Sequence, residues 1–188
     1  SGRIWIKSEK EEIYYFDTQN LSFHYPLEGQ SKELFSIPLR NFKLVPSGRV
    51  WLFSENKNHL IVLETNTTVK QIVFDSAKLG GSKIKEVFED IVGTTWFLTD
   101  FGICKLKKRE TKPEYFFFNM TRLSGKSYSF SAVTEINDEL WFGGNNGKLT
   151  RYSKKSSTFF DVQLGLSSDI VSIKYVNGGK VLIVTSTE

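Results

Sequence analysis

Cysteine, histidine and proline are scarce in this sequence, which has one, two and four of them among 188 residues. The single cysteine, Cys104, excludes an intramolecular disulfide and any paired-cysteine metal site, and we expect it to be a small apolar core residue. His24 and His59 stand in or beside predicted strands without a neighbouring Cys or His, which favours edge or surface positions over metal ligation. We therefore predict no metal and no cofactor.

Long apolar runs and catalytic signatures are also missing. No stretch approaches the roughly 18 apolar residues of a membrane helix, and the nucleophile-elbow, zinc-protease and phosphate-loop motifs are absent. Adjacent carboxylates occur at Glu11–Glu12 and Glu89–Asp90, but neighbours on a strand point to opposite faces, which argues against a catalytic pair. We predict no catalytic site within the chain and no membrane contact within this segment.

The excess of one charge sign is small, since 25 basic and 21 acidic side chains give a net charge of +4. Dense basic runs occur only at 105–109 and at Lys154–Lys155, where strands are expected to end. Lysines commonly protect exposed sheet edges. This pattern favours solvated edges and predicts no nucleic-acid partner.

Aromatic residues are abundant, at 14% of the chain, and the tryptophans are regularly spaced. They stand at intervals of 46, 45 and 45 residues, at Trp5, Trp51, Trp96 and Trp141. Each lies in an apolar stretch that follows a polar turn, and each period continues with further short apolar or aromatic runs, as expected for strands. A repeat of about 45 residues with four strands is typical of a β-propeller blade.

The predicted fold is all-β: a β-propeller fragment of about four four-stranded antiparallel blades. Residues 1–188 form a single partial propeller, with repeats at approximately 1–45, 46–91, 92–136 and 137–176 and the start of a fifth at 177–188. A twisted four-stranded sheet leaves both faces apolar, and stacking of the next blade buries them. We expect Trp5, Trp51, Trp96 and Trp141 to pack between neighbouring blades and not to contact a ligand.

One repeat carries a family resemblance. From Leu140 to Ile173 the sequence runs through apolar-Trp-apolar-Gly, Asn-Asn-Gly, Leu-x-Arg-Tyr, Phe and then Gly-Leu-Ser-Ser-Asp-Ile-Val-Ser-Ile. This pattern resembles the two-component regulator propeller repeat, which builds the extracytoplasmic sensor of hybrid two-component histidine kinases of the Bacteroidetes type. The first two repeats depart from the pattern because they lack the usual small Gly-Thr pair, and Leu182 replaces the tryptophan of the fifth.

The resemblance implies a non-catalytic, ligand-sensing segment of a two-component signalling receptor, in the periplasmic or extracytoplasmic part of an inner-membrane protein. The ligands that it implies are carbohydrate-derived, such as an oligosaccharide, and any histidine kinase activity would lie outside this chain. A protein-interaction propeller that scaffolds partners is the alternative. An enzyme scaffold is a third reading, in which residues outside the chain would supply the chemistry.

The loops of a propeller are expected to carry its binding residues, because rigid blades present them together on one face. The loops after the tryptophan strands are expected on that face, with the inter-blade loops at 28–32 and 123–126. Asn, Asp and Glu beside an exposed aromatic suit a hydroxyl-rich ligand, although they are also ordinary turn residues. The candidate ligand-binding residues are Glu55, Asn56, Asp100, Phe101, Asn145 and Asn146.

The expected strand count is three, then three sets of four, then two, so that neither end of the chain coincides with a blade boundary. An apolar blade face would then be exposed at each end. The expected partner is the remainder of a parent propeller, or a second copy of the chain in a homodimer, which would cover the terminal blades.

Overall fold

The computed structural model describes residues 2–10, 12–27, 38–54, 59–64, 68–79, 82–117, 129–176 and 178–186. The chain divides into two compact units, Ser1–Val73 and Phe74–Glu188. The described residues form seventeen β-strands, one short helix and one 3-10 turn. None of the helical segments in this described part has the length and apolar character needed to span a bilayer.

The first unit contains two antiparallel sheets whose strands lie in chain order. Sheet A has three strands, β1 (Arg3–Lys7), β2 (Ile13–Asp17) and β3 (Ser22–His24). Sheet B has four strands, β4 (Leu39–Leu44), β5 (Val50–Ser54), β6 (His59–Leu63) and β7 (Val69–Val73).

The second unit begins with the short helix α1 (Ser76–Leu79) and contains three antiparallel sheets. Sheet C has β8 (Ile84–Glu89), β9 (Thr95–Thr99), β10 (Gly102–Leu106) and β11 (Glu114–Phe117). Sheet D has β12 (Phe130–Ile136), β13 (Glu139–Gly144), β14 (Leu149–Ser153) and β15 (Thr158–Val162). Sheet E has β16 (Ile170–Val176) and β17 (Lys180–Thr185).

The fold class is that of a β-propeller, as the sequence predicts. Among the described residues the strands group as three, four, four, four and two, which is the expected order. Each sheet begins one strand earlier than the corresponding sequence repeat, because the last strand of one repeat is the first strand of the next sheet. For Trp51, Trp96 and Trp141, the strand before the turn pairs with the tryptophan strand and is the first strand of the same sheet, as β8 pairs with β9 across the 90–94 turn.

A β-bulge recurs at the second residue of the first strand in sheets B, C, D and E. The register shifts between the residues on either side of Arg40, Lys85, Ser131 and Val171. A bulge places one unpaired residue in a ladder and re-aims its side chain. These four sheets therefore have the same irregularity near the start of their first strand.

Aromatic and aliphatic side chains fill the space between neighbouring sheets within each unit. The Trp5 ring lies 5.6 Å from that of Phe42, which joins sheet A to sheet B. The buried Trp96 ring of sheet C lies 5.8 Å from Phe142 and 4.9 Å from Tyr152, both of sheet D. Tilted and edge-on ring pairs of this kind stabilise a contact by more than the burial of their apolar surface alone.

The four tryptophans differ in exposure. Trp51 and Trp96 are buried, whereas Trp5 and Trp141 are half-buried. Trp141 packs on a cluster that joins sheets D and E, with Ala132, Leu149, Ile170 and Ile173.

The lone cysteine and the first histidine lie where their residue types predict. Cys104 is buried on β10, which confirms the expected core position. His24 ends the edge strand β3 and stacks on Tyr15 at 5.2 Å. The side chain of His59 lies outside the described residues, within which no three His, Cys, Asp or Glu side chains cluster as metal ligands.

Candidate functional site

In the second unit, the turns after the tryptophan strands meet the segments that precede the first strands of the sheets. A chain of contacts connects these residues at one end of sheets C, D and E. We call this region the loop end. It is formed by Lys83, Lys85, Asp100, Phe101, Ser129, Asn145, Asn146 and Asp169.

An ion pair lies at the centre of the loop end. The Lys85 ammonium, on the bulged residue of β8, lies 2.6 Å from the carboxylate of Asp100 in the β9–β10 turn. The backbone N–H of Lys83 donates to the same carboxylate at 3.2 Å. Partial burial alone would raise the pKa of Asp100, but the bonds from Lys85 and Lys83 outweigh it and hold the pKa below its ordinary value. Asp100 is therefore an ionised acceptor near neutral pH.

Sheet D joins the same network through Ser129. The Lys85 ammonium donates to the Ser129 hydroxyl at 2.6 Å. The Ser129 N–H donates to the side-chain oxygen of Asn145 at 3.0 Å, and the Asn145 N–H donates back to the Ser129 carbonyl at 3.0 Å. Asn145 is half-buried, and its side-chain oxygen holds this turn against the residue that precedes β12.

The turn between β13 and β14 also reaches sheet E. Asn146 adopts the left-handed conformation, with φ 54° and ψ 40°, which asparagine tolerates better than most residues. Its N–H donates to the Asp169 carboxylate at 2.9 Å. The Asn146 side chain itself is exposed.

The residue after Asp100 in the β9–β10 turn is an exposed aromatic. Phe101 is 38% exposed. The turn that presents it is fixed by Thr99, whose hydroxyl donates to the Gly102 carbonyl at 3.0 Å and accepts the Phe101 N–H at 3.3 Å. The loop end thus combines an apolar ring, an ionised carboxylate and an ammonium group on rigid turns.

The structure brings together four of the six predicted binding residues: Asp100, Phe101, Asn145 and Asn146. Glu55 and Asn56 lie outside the described residues, as do the inter-blade loops at 28–32 and 123–126. Sequence reasoning missed the other four residues of the loop end: Lys83, Lys85, Ser129 and Asp169. Asp169 lies in the Ser-Ser-Asp-Ile motif of the repeat between Leu140 and Ile173. Its position in that motif is the sequence signal that could have identified it.

Comparison with known proteins shows the fold and leaves the family open. No protein-family model matches the sequence, and no curated protein is similar to it in sequence. Among solved structures, the chain is similar to the extracellular domain assigned to the hybrid two-component system BT4673 of B. thetaiotaomicron, with 16% identity and a TM-score of 0.68. That alignment covers 98% of this chain and 25% of the other.

Two further structures share the fold. The extracellular domain assigned to the hybrid two-component system BT3049 of B. thetaiotaomicron has 17% identity and a TM-score of 0.63, with 98% of this chain and 24% of that chain covered. Virginiamycin B lyase of Staphylococcus aureus has 18% identity and a TM-score of 0.69, and the alignment covers 97% of this chain and 59% of the lyase.

The similar structures include both sensor domains and an enzyme, so the shared fold does not separate these functions. The chain spans about a quarter of the length of the two extracellular domains that it matches.

Proposed function

We propose that this chain is a non-catalytic, ligand-sensing segment of a two-component signalling receptor, with carbohydrate-derived ligands. The observation that carries the proposal is the loop end, where the exposed Phe101 directly follows Asp100, the carboxylate that pairs with Lys85, in the same turn. Two lines support it: the repeat pattern between Leu140 and Ile173, and the similarity in fold to extracellular domains of two-component systems.

The chemistry of the loop end suits a hydroxyl-rich ligand. The apolar face of a sugar ring packs well on an aromatic side chain, and sugar hydroxyls can both donate and accept. Hydrogen bonds to charged groups are stronger than those between neutral groups. Asp100 would accept from ligand hydroxyls, and the Lys85 ammonium would donate to them.

The proposal places the segment in the periplasmic or extracytoplasmic part of an inner-membrane protein. The histidine kinase chemistry of such a receptor would lie outside this chain. Ligand binding at the loop end would act by favouring one arrangement of the receptor over another, which requires a difference in affinity between the two.

The test is a binding measurement with neutral oligosaccharides. Xylo-, manno- and galacto-oligosaccharides of about four to six units would be titrated into the chain and followed by calorimetry. Where one binds, Phe101→Ala and Asp100→Asn should each weaken binding about tenfold or more. Phe160→Ala is the matched control, since Phe160 is an exposed aromatic (52%) on the outer strand β15. Equal effects of the two Phe variants would contradict the proposal.

A protein-interaction scaffold is the second candidate, and the exposed apolar face of sheet E favours it. Leu182 on β17 is 51% exposed and Val184 is 42% exposed. Leu182 stands at the tryptophan position of its repeat, which in sheet C packs on the next sheet. We propose that this face packs on another blade, either of a parent propeller or of a second copy of the chain.

Light scattering tests whether two copies of the chain associate. A dimer that Leu182→Lys converts to a monomer would support self-association through this face. A wild-type monomer at all concentrations would exclude a homodimer and leave a parent propeller as the partner.

A further inference from the structure

The first unit contains a cleft of about 310 Å³ that lies apart from the loop end. It is formed between the turn that joins β1 to β2 and the start of β4, the first strand of sheet B. The buried residues Ile13 and Leu39 line it from β2 and β4. The cleft therefore lies at the junction of two neighbouring sheets.

The same junction between sheets D and E is closed in the second unit. There the turn after the tryptophan strand contacts the segment before the next sheet directly, through the 2.9 Å bond from Asn146 to Asp169. The fit is so close that a methyl group on Gly147 would lie 2.3 Å from the carbonyl oxygen of Leu166. A cleft at this junction therefore does not follow from the fold alone.

Two tyrosines form an aromatic corner in the cleft. The rings of Tyr14 and Tyr25 lie 6.3 Å apart at an interplanar angle of 73°. A flat ligand ring can pack on one tyrosine and present its edge to the other, which is the preferred geometry of aromatic contacts. Partial burial, together with the Glu12 carboxylate that bonds its hydroxyl, raises the pKa of Tyr14, so that its hydroxyl stays neutral.

Among the described residues that line the cleft, two are cations and one is a carboxylate. Lys10 and Arg40 line it and are exposed, and Glu12 is engaged with the Tyr14 hydroxyl. Arg40 is the bulged residue of β4 and so occupies the position that Lys85 holds in sheet C, where the ammonium reaches a carboxylate at 2.6 Å. Lys85 reaches the β9–β10 turn of its own sheet, whereas Arg40 lines the cleft beside the β1–β2 turn of the neighbouring sheet A.

We propose that this cleft binds a small carboxylate carried on a six-membered ring, with the ring against Tyr14 and Tyr25 and the carboxylate towards Lys10 and Arg40. Arginine and lysine bind carboxylates through charge-assisted hydrogen bonds. An organic ammonium would also suit the tyrosine faces, but the two cations would repel it. The inference does not depend on the ligand of the loop end, since no residue is shared.

Sugar acids and aromatic acids both present a carboxylate on a six-membered ring, and the experiment separates them. Methyl glucuronide and benzoate would be titrated separately into the full chain, followed by two-dimensional NMR of the backbone amides. Their neutral counterparts are methyl glucoside and benzyl alcohol, and choline is the cationic probe. We expect shifts at Glu12, Tyr14, Tyr25 and Leu39, and binding of at least one acid about tenfold tighter than its neutral counterpart.

Exposed variants test the charge without disturbing the core. Lys10→Glu and Arg40→Gln should each weaken binding of the acid about tenfold, while Lys155→Glu, an exposed lysine on the β14–β15 turn, should leave it unchanged. Melting temperatures would verify that the variants are folded.

Binding of methyl glucuronide alone would support the inference and identify a sugar acid; binding of benzoate alone would support it and identify an aromatic acid. Equal binding of the neutral compounds, preferential binding of choline, or the absence of shifts with either acid would overturn it. Unchanged affinity in both Lys10→Glu and Arg40→Gln would overturn it as well.

Discussion

The indole N–H of Trp96 donates a 3.0 Å hydrogen bond to the carboxylate of Asp90, six residues earlier in the chain. The other carboxylate oxygen accepts the Thr94 N–H at 2.8 Å and the Val92 N–H at 3.2 Å. The ammonium of Lys154, which follows β14 of sheet D, lies 3.8 Å from the oxygen that Trp96 bonds. Asp90 is buried, and all these contacts hold the β8–β9 turn around the tryptophan. This carboxylate therefore has a structural role.

The first prediction concerns the packing of Trp96. Trp96→Ala removes a buried ring from the contact between sheets C and D, and should lower the free energy of unfolding by roughly 3–5 kcal/mol. Trp141→Ala is the matched control and should cost less, because Trp141 is half-buried. Denaturant unfolding of both variants measures the difference. An unchanged midpoint in Trp96→Ala would show that the ring does not pack between the sheets.

The second prediction concerns the tight junction between sheets D and E. Gly147 and Gly165 both have positive φ, at 64° and 67°, but only Gly147 has no room for a methyl group. Gly165→Ala should cost about 1 kcal/mol for the left-handed conformation alone. Gly147→Ala should cost about 2 kcal/mol more, because the backbone around Leu166 must move. Equal melting temperatures for the two variants would contradict this account of the junction.

The third prediction concerns the thiol of Cys104. Burial raises its pKa to about 12, so the reactive thiolate is almost absent at pH 8. We expect no labelling by a thiol reagent in the folded chain over minutes, and one equivalent after unfolding in guanidinium. Rapid labelling of the native protein would show that β10 opens or that the side chain is accessible.

The blades were predictable from sequence because their signals are local. The tryptophan period, the polar turns and the short apolar runs each lie within a few residues, and a period of two residues within a strand needs no knowledge of distant partners. The same reasoning located Asp100, Phe101 and Asn146, since all three lie in turns that directly follow tryptophan strands.

The remaining parts of the site depend on contacts between residues distant in sequence. Lys85 contacts Ser129, 44 positions later. It does so from a β-bulge, which the residues around Lys85 do not predict. Asn145 lies in the turn where a binding residue was expected, but its amide oxygen accepts the N–H of Ser129 and the side chain is half-buried. The cleft at Tyr14 and Tyr25 arises because two sheets leave space at their junction, which no repeat pattern reveals.

The last prediction concerns the pH dependence of the Lys85–Asp100 ion pair. The pKa of Asp100 is lower in the folded chain than its ordinary value of about 3.9, because the bonds from Lys85 and Lys83 outweigh the effect of partial burial. A lowered carboxyl pKa adds stability that is present above the unfolded pKa and is lost as the pH falls through the folded pKa. Since the Asp100 side chain is 33% exposed, solvent screening limits the gain to about 0.5–1 kcal/mol.

Asp100→Asn should therefore melt at a lower temperature than wild type at pH 7, and the gap should shrink as the pH falls below about 3.9. Asp138→Asn, on the exposed β12–β13 turn, is the control and should match wild type throughout. In a Lys85→Met background the effect of Asp100→Asn at pH 7 should be smaller, because the ion pair is already absent and only the bond from the Lys83 N–H remains. A gap that is equally large at pH 7 and pH 2.5 would show that Asp100 stabilises the turn by some means other than its charge. A gap that is unchanged without Lys85 would show that the ion pair does not contribute to it.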